Sequence, residues 1–134
     1  MDLFDLNEEQ RFDGGKHVEK ILSRWPGGDA TVACWEPAQI SPEHCHPYAT
    51  EIYFCYTGGG RMRTPEGEVE ITPGRFVIHP PGELHEYVNG PARTLLFRVR
   101  IGEDMTSRNV ANRGVSNWTQ SREDAAYFAD RRPE

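Results

Sequence analysis

The sequence contains no apolar run of the roughly 18 residues that a helix needs to cross a lipid bilayer. Its opening segment, MDLFDLNEEQ, is acidic, whereas a secretory signal has a basic start followed by an apolar stretch. These two absences predict a protein that resides in the cytoplasm and has no membrane partner.

Basic residues are too few and too dispersed to form a nucleic-acid surface. The chain has two lysines, Lys16 and Lys20, its arginines are scattered, and its formal net charge is -6. Binding to nucleic-acid phosphates requires a concentrated basic face. The sequence therefore predicts no nucleic-acid partner.

The cysteines do not form a structural pattern. There are three of them, Cys34, Cys45 and Cys55, and no two are spaced as C-x-x-C. An odd number without close pairs indicates neither a disulfide framework nor a thiolate zinc site. We expect free thiols, and the sequence assigns them no role.

What the sequence does contain is a series of short strands. The chain has 134 residues, 37% hydrophobic and 27% charged, which fits one compact globular domain. Runs rich in aromatic and β-branched residues recur between Gly and Pro turns about every ten residues, the spacing of an all-β sandwich or barrel. No helical stretch lies between these runs, which argues against a parallel α/β sheet.

The two ends differ from this central region. Residues 1–15 are polar and end in glycine, which predicts an N-terminal arm. The segment SREDAAYFADRR, within a C-terminal extension of residues 102–134, has Ser121 and Asp124 in the spacing of a helix cap. We expect a short helix there, packed on the same domain as the strands.

The stretch HCHPYATE carries a candidate metal site. His44 and His46 are two residues apart, so on a strand both side chains point to one face. Glu51 follows a break at Pro47-Tyr48, which could return its carboxylate to the same ion. Imidazole and carboxylate together suit a divalent transition metal. A chance pair of histidines on an exposed strand is the alternative.

A second stretch, GRFVIHPPGELHEYVN at residues 74–89, strengthens the metal hypothesis. The two stretches together resemble the paired motifs of the cupin superfamily, as found in small single-domain metal-binding members. The first motif is met by His44, His46, Glu51 and Gly58, and the second by Gly74, Pro80, Gly82, His85 and Asn89. One departure is Ala38, which stands where the first motif opens with glycine and so puts the geometry of that loop in doubt.

The resemblance implies a cupin barrel, also called a double-stranded β-helix or jelly roll, over residues 16–101. It implies one divalent metal ion in the barrel mouth, held by His44, His46, Glu51 and His85, and does not specify Fe, Mn, Ni, Zn, Co or Cu. Four protein ligands leave two positions of an octahedral ion open, the condition for acting on a substrate.

Two tyrosines are candidate catalytic residues. Tyr53 shares the inward face of its strand with Glu51, and Tyr87 should share the inward face of its strand with His85. Tyr53 could offer its phenol to a substrate, and Tyr87 could support the metal site. Core packing is the alternative for both side chains.

The sequence favours an enzyme that acts on a small oxygen-bearing organic substrate, and among reactions it favours a dioxygenase. A redox-neutral isomerase, lyase or decarboxylase remains an alternative, since the resemblance spans all of these. A small-molecule sensor without catalysis is the second alternative. The resemblance also implies a homodimer, to which the arm before Lys16 would contribute.

Overall fold

The computed structural model describes residues 1–131 and has the strand-rich architecture that the sequence predicts. Tight turns with Gly and Pro separate the strands, and the helix follows the last of them. The strands are β1 (Val18–Trp25), β2 (Gly28–Trp35), β3 (Glu43–Cys45), β4 (Thr50–Thr57), β5 (Gly60–Thr64), β6 (Gly67–Ile71), β7 (Phe76–His79), β8 (Glu86–Asn89), β9 (Thr94–Ile101) and β10 (Arg108–Ala111), and the helix is α1 (Arg122–Ala129).

The strands form two antiparallel layers. One layer is a five-stranded sheet in the order β1-β2-β9-β4-β7. The other joins a three-stranded sheet, β6-β5-β8, to the pair β10-β3 through isolated bridges between Ile40 and Val88 and between His44 and His85. The all-β prediction with one short C-terminal helix is confirmed. No helix in residues 1–131 is long and apolar enough to cross a membrane.

Alternating side chains of both layers fill the space between them. Along β4 the burial alternates, and every second residue from Glu51 to Cys55 points inward. These inward positions contribute to one apolar core, formed by Ala33, Trp35, Tyr53, Cys55, Met62, Ile71, Tyr87 and Leu96. Because Glu51 shares this face, its carboxylate is held inside the barrel with 1% of the residue exposed.

The N-terminal arm covers part of the outer face of the five-stranded sheet. There Val32, Cys34 and Leu95 form a second apolar cluster, against which Leu6 and Phe12 pack. The arm is therefore polar overall but anchored by two apolar side chains. All three cysteines of the chain are buried free thiols, as predicted.

The C-terminal extension contains a strand that the sequence did not reveal. β10 pairs with β3, and Asn109 lies opposite His44. Its four residues, RNVA, are too short to show an alternating pattern. The predicted helix is confirmed, with the Ser121 hydroxyl accepting a hydrogen bond from the Asp124 backbone N–H at 3.0 Å. Residues 132–134 of the predicted extension lie outside the described residues.

The loop before β3 has a positive backbone φ at the position where the first motif has glycine. Ala38 adopts a left-handed conformation with φ of 64°, and its N–H donates to the carbonyl of Gly90 at 3.1 Å. Glycine enters this region freely, whereas a residue with a Cβ is strained there. The position thus still has the backbone conformation for which the motif specifies glycine, and alanine tolerates it at a cost.

Candidate metal centre

Backbone hydrogen bonds join the two motif segments. The N–H of His44 donates to the carbonyl of His85 at 2.9 Å, and the N–H of His85 donates to the carbonyl of His44 at 2.8 Å. The turn before His85 is attached in the same way, because the N–H of Gly82 donates to the carbonyl of His46 at 2.9 Å. Residues far apart in sequence are thus fixed side by side before any side chain is considered.

Three of the four predicted ligand side chains meet at this junction, and the fourth, His46, lies beside Glu51. Ligand atoms of His44, Glu51 and His85 lie within 4.8 Å of one another. Glu51 Oε1 lies 2.7 Å from His85 Nε2, and Glu51 Oε2 lies 2.9 Å from His46 Nε2. All four residues are at least nine-tenths buried.

Backbone carbonyls determine which nitrogen of each ring faces the junction. His44 Nδ1 lies 2.8 Å from the carbonyl oxygen of Pro42, and His85 Nδ1 lies 2.9 Å from that of Glu83. A carbonyl oxygen only accepts hydrogen bonds, so each Nδ1 carries a proton. In the neutral ring, Nε2 then carries the free lone pair. His85 Nε2 and Glu51 Oε1 would then be two acceptors in contact, which requires a proton or a cation between them.

Burial and neighbouring charges favour the forms of these groups that bind a cation. Burial, reinforced by the charge of His85, lowers the pKa of His44 to about 3. Burial alone would raise the pKa of Glu51, but the adjacent imidazoles of His46 and His85 outweigh it and hold that pKa well below its ordinary value. At neutral pH the junction therefore presents a neutral imidazole at His44 and a carboxylate at Glu51.

Several buried polar atoms at the junction lack hydrogen-bond partners among residues 1–131. They are both ring nitrogens of His46 and Glu51 Oε2. Buried polar atoms are normally satisfied, and a metal ion provides such satisfaction for imidazole and carboxylate. The residues present therefore fit a divalent metal ion.

A cavity of about 480 Å³ adjoins the junction. Its walls include His44 and His46 together with Tyr53, His17 and Arg98. A cavity of this size holds a small organic molecule beside the metal ligands.

The two predicted catalytic tyrosines occupy different environments. Tyr53 lines the cavity, and burial together with the charge of Glu51 raises the pKa of its phenol, so it keeps its proton. Tyr87 does not belong to the described lining: its hydroxyl donates to Asn89 Oδ1 at 2.8 Å, and its ring meets Trp35 edge-on at 4.7 Å. These contacts favour the packing alternative for Tyr87, while its assignment as a catalytic residue stays a prediction.

His79 matches no position of either motif, and the structure places it beside the predicted ligand His85. Its ring stacks on His85, with centroids 3.8 Å apart and planes 7° apart, and its Nδ1 lies 2.7 Å from Glu83 Oε1. The cause is the pairing of β4 with β7, which sets His79 opposite Glu51. That register is a tertiary property without a local sequence signal.

Two further cavity residues escaped the sequence prediction. Arg98 lies opposite Tyr53 in the pairing of β4 with β9 and is 3% exposed. His17 stacks on Trp35 at 3.9 Å and contacts Glu19 at 3.3 Å. The alternation of side chains along TLLFRVRI would place Arg98 on the inward face of its strand. Charged residues are rarely buried, so the pattern alone does not predict a buried arginine there.

The chain resembles known proteins in sequence and in structure. Over 67 residues the chain is 31% identical to quercetin 2,3-dioxygenase of Bacillus subtilis, a match that covers 50% of this chain and 17% of that protein's length. A double-stranded β-helix protein of Klebsiella pneumoniae superposes with a TM-score of 0.77 at 18% identity, covering 84% of this chain and 99% of the other.

The DMSP lyase DddQ of Ruegeria pomeroyi superposes with a TM-score of 0.67 at 19% identity, covering 81% of this chain and 60% of the other. At such identities the structural matches establish the fold alone. Residues 31–97 match the family described as Cupin domain. The matched residues make up half of the chain and include His44, Glu51 and His85. The chain therefore belongs to the cupin family.

Proposed function

We propose that this protein is a metal-dependent enzyme that acts on a small oxygen-bearing organic substrate at a single 3-His-1-Glu centre. The observation that carries the proposal is the set of buried polar atoms of His46 and Glu51 without hydrogen bonds, beside a cavity large enough for a substrate. A structural metal site is normally closed by its ligands, whereas this one adjoins open space.

Each residue of the centre has a distinct task. His44 and His85 present Nε2 lone pairs because backbone carbonyls hold their Nδ1 protons, while Glu51 supplies the negative charge. A bound divalent ion would polarise a substrate oxygen or, if it is a redox metal, bring the substrate to O₂. Tyr53 retains its proton, and its phenol is available to donate a hydrogen bond to a substrate oxygen.

Dioxygenase chemistry is the favoured reaction. It is supported by the ligand set, which suits iron among other metals, and by the similarity to a protein named quercetin 2,3-dioxygenase. A redox-neutral isomerase, lyase or decarboxylase is the second candidate, supported by the fold shared with a DMSP lyase. One cupin fold carries many reactions, so the distinction belongs to experiment.

The test begins with the metal content of protein purified without added metal. The protein is then stripped with a chelator, reloaded with Fe, Mn, Ni, Co, Cu or Zn in turn, and incubated with flavonols, diketones, phenols and small acids while oxygen uptake and substrate loss are followed. Oxygen uptake with a redox metal supports the dioxygenase, and substrate loss without oxygen supports the redox-neutral candidate. Ligand binding without turnover under every metal would overturn the enzyme and indicate a sensor.

We also propose that two copies of the chain pair through the part of the five-stranded sheet that the arm leaves uncovered. Phe76, Ile78 and Ile101 are 61%, 55% and 52% exposed, and the pairings of β7 and β9 with β4 put them on the outer face. Contiguous exposed apolar groups of this kind mark association surfaces.

Ile78→Glu should convert a dimer to a monomer in light scattering, while Val115→Glu, an exposed control outside the sheet, should not. A monomeric wild type would overturn this proposal.

A further inference from the structure

Two arginines on β9 line the cavity, and their hydrogen bonding differs sharply. Arg100 is paired with both carboxylate oxygens of Asp29, with Nε at 3.0 Å from Oδ1 and Nη2 at 2.6 Å from Oδ2. This bidentate pair occupies the guanidinium fork in the geometry that a carboxylate prefers. Arg100 is thus engaged within the protein.

Arg98 is buried but incompletely engaged. Its Nη1 donates to Glu19 Oε1 at 3.0 Å and its Nη2 to Thr31 Oγ1 at 3.4 Å, while its Nε has no hydrogen-bond partner among residues 1–131. A guanidinium offers five N–H donors, and a group that is 3% exposed gains little from water. Arg98 therefore keeps donor capacity at the wall of a cavity that adjoins the metal ligands.

The two carboxylates near Arg98 are in unequal positions. Glu51 Oε2 lies 3.7 Å from Arg98 Nη1, and in the proposed centre its charge is taken up by the metal ion. Glu19 is then the remaining carboxylate partner of Arg98, and its side chain is 43% exposed at the cavity wall. A half-exposed carboxylate can exchange its contacts with Arg98 and His17 for water, whereas the buried guanidinium cannot follow it into solvent.

We propose that Arg98 binds a carboxylate group of the substrate, that Glu19 occupies this place until the substrate arrives, and that the substrate is consequently a small carboxylic acid. This inference rests on the proposed function, because the acid would react at the adjacent metal centre. A carboxylate is preferred to a phosphate as the partner because the position already accommodates the carboxylate of Glu19. The guanidinium fork then loses one carboxylate and gains another, so its charge stays paired throughout.

The test compares acids with their uncharged amides. Binding of acetate and acetamide, lactate and lactamide, and benzoate and benzamide is measured by ligand-observed NMR titration, on metal-loaded and on metal-stripped protein, with inorganic phosphate as a separate arm. At least one acid should bind the wild type about tenfold more tightly than its amide, the effect of one charge-assisted hydrogen bond. The preference should persist without metal, since Arg98 is part of the chain.

Variants separate Arg98 from general charge effects. Arg98→Gln should remove the preference for acids, and Arg98→Lys should reduce it because the planar fork is lost. Glu19→Gln should strengthen the binding of acids, since the resident competitor no longer carries a charge. Arg61→Gln serves as the control, because Arg61 is an exposed partner of Glu68 outside the cavity lining and should leave binding unchanged.

The outcomes are decisive in both directions. If no acid binds the wild type more tightly than its amide, if phosphate binds more tightly than every acid, or if a folded Arg98→Gln protein keeps the preference, the proposal is overturned. If Arg98→Gln fails to fold, Glu19→Gln decides, and unchanged or weaker binding of acids overturns the proposal. Metal content measured in the same samples separates the carboxylate site from the metal centre. If the protein holds metal but shows no preference for acids, only the role of Arg98 is refuted. If it prefers acids but holds no metal, only the proposed metal centre is refuted.

Discussion

Replacing His85 by alanine is expected to empty the metal site while leaving the barrel folded. The substitution removes the Nε2 lone pair that lies 2.7 Å from Glu51 Oε1. Changing a residue that merely supports a ligand lowers metal affinity about 10- to 100-fold, so losing the ligand itself should lower it by at least about 100-fold, or about 2.7 kcal/mol. The readouts are metal content by mass spectrometry and affinity by competition with a chromophoric chelator.

The effect on folding is smaller than the total stability of a domain of this size. In the variant, a buried Glu51 oxygen loses its neighbour, and breaking a buried pair costs about 3 to 5 kcal/mol. Domains typically have about 5 to 15 kcal/mol of unfolding free energy. We therefore expect a folded but less stable protein, with native circular dichroism and a lowered Tm.

His79 provides a matched control for this prediction. Its ring stacks directly on that of His85, so His79→Ala removes a neighbouring imidazole of equal size while the contacts of His85 with Glu51 and with the Glu83 carbonyl remain. Because His79 stacks on His85 without a hydrogen bond to it, affinity should fall by no more than about tenfold, the lower limit for residues that hydrogen-bond a ligand. Equal metal loss in both variants, or full metal content in His85→Ala, would refute the assignment of His85 as a ligand.

Three further results are expected. Ala38→Gly should raise the unfolding free energy by about 0.5 to 1 kcal/mol. The substitution relieves about 1 to 2 kcal/mol of strain in the left-handed backbone, which exceeds the entropic cost of ordering a glycine. An unchanged Tm would refute this. Tyr53→Phe should slow turnover while the metal content stays full. Tyr87→Phe should instead lower the unfolding free energy by about 1 kcal/mol, because the hydrogen bond to Asn89 is lost. Equal turnover rates in the two variants would contradict these separate roles. Burial raises the pKa of Glu19, but its hydrogen bond with His17 and the charge of Arg98 lower it from 4.5 to about 2. Its stabilisation is therefore complete above pH 4.5 and lost as pH falls towards 2, so wild-type stability should decline more steeply in that window than that of Glu19→Gln in urea titrations.

The strand architecture was predictable from local information, and so was the meeting of His44, Glu51 and His85. The first hairpin, β1 with β2, was evident from two β-rich runs around the Pro-Gly-Gly turn. The terminal helix was marked by its cap at Ser121. The ligands were identifiable because fixed spacings place them on turns and strand faces, so His44 and His85 could be named before their distance was known.

The surroundings of the site could not be predicted in the same way. His79 and Arg98 reach it through the registers of β4 with β7 and with β9, and register between strands distant in sequence has no local signature. β10 was missed because four residues carry too little pattern. Tyr87 was assigned to the metal from its spacing alone, and only the hydrogen bond to Asn89 reveals that its hydroxyl is occupied elsewhere.

The two backbone hydrogen bonds between His44 and His85 hold two of the four predicted ligands together before any metal binds. Their separation is set by main-chain pairing and is insensitive to most side-chain replacements around them. His46 follows the end of β3 and belongs to a turn, and Glu51 stands on the other sheet. Selectivity between ions should accordingly be adjusted through His46 and Glu51, so that relatives with other metals are expected to differ there while the His44–His85 pair is left alone.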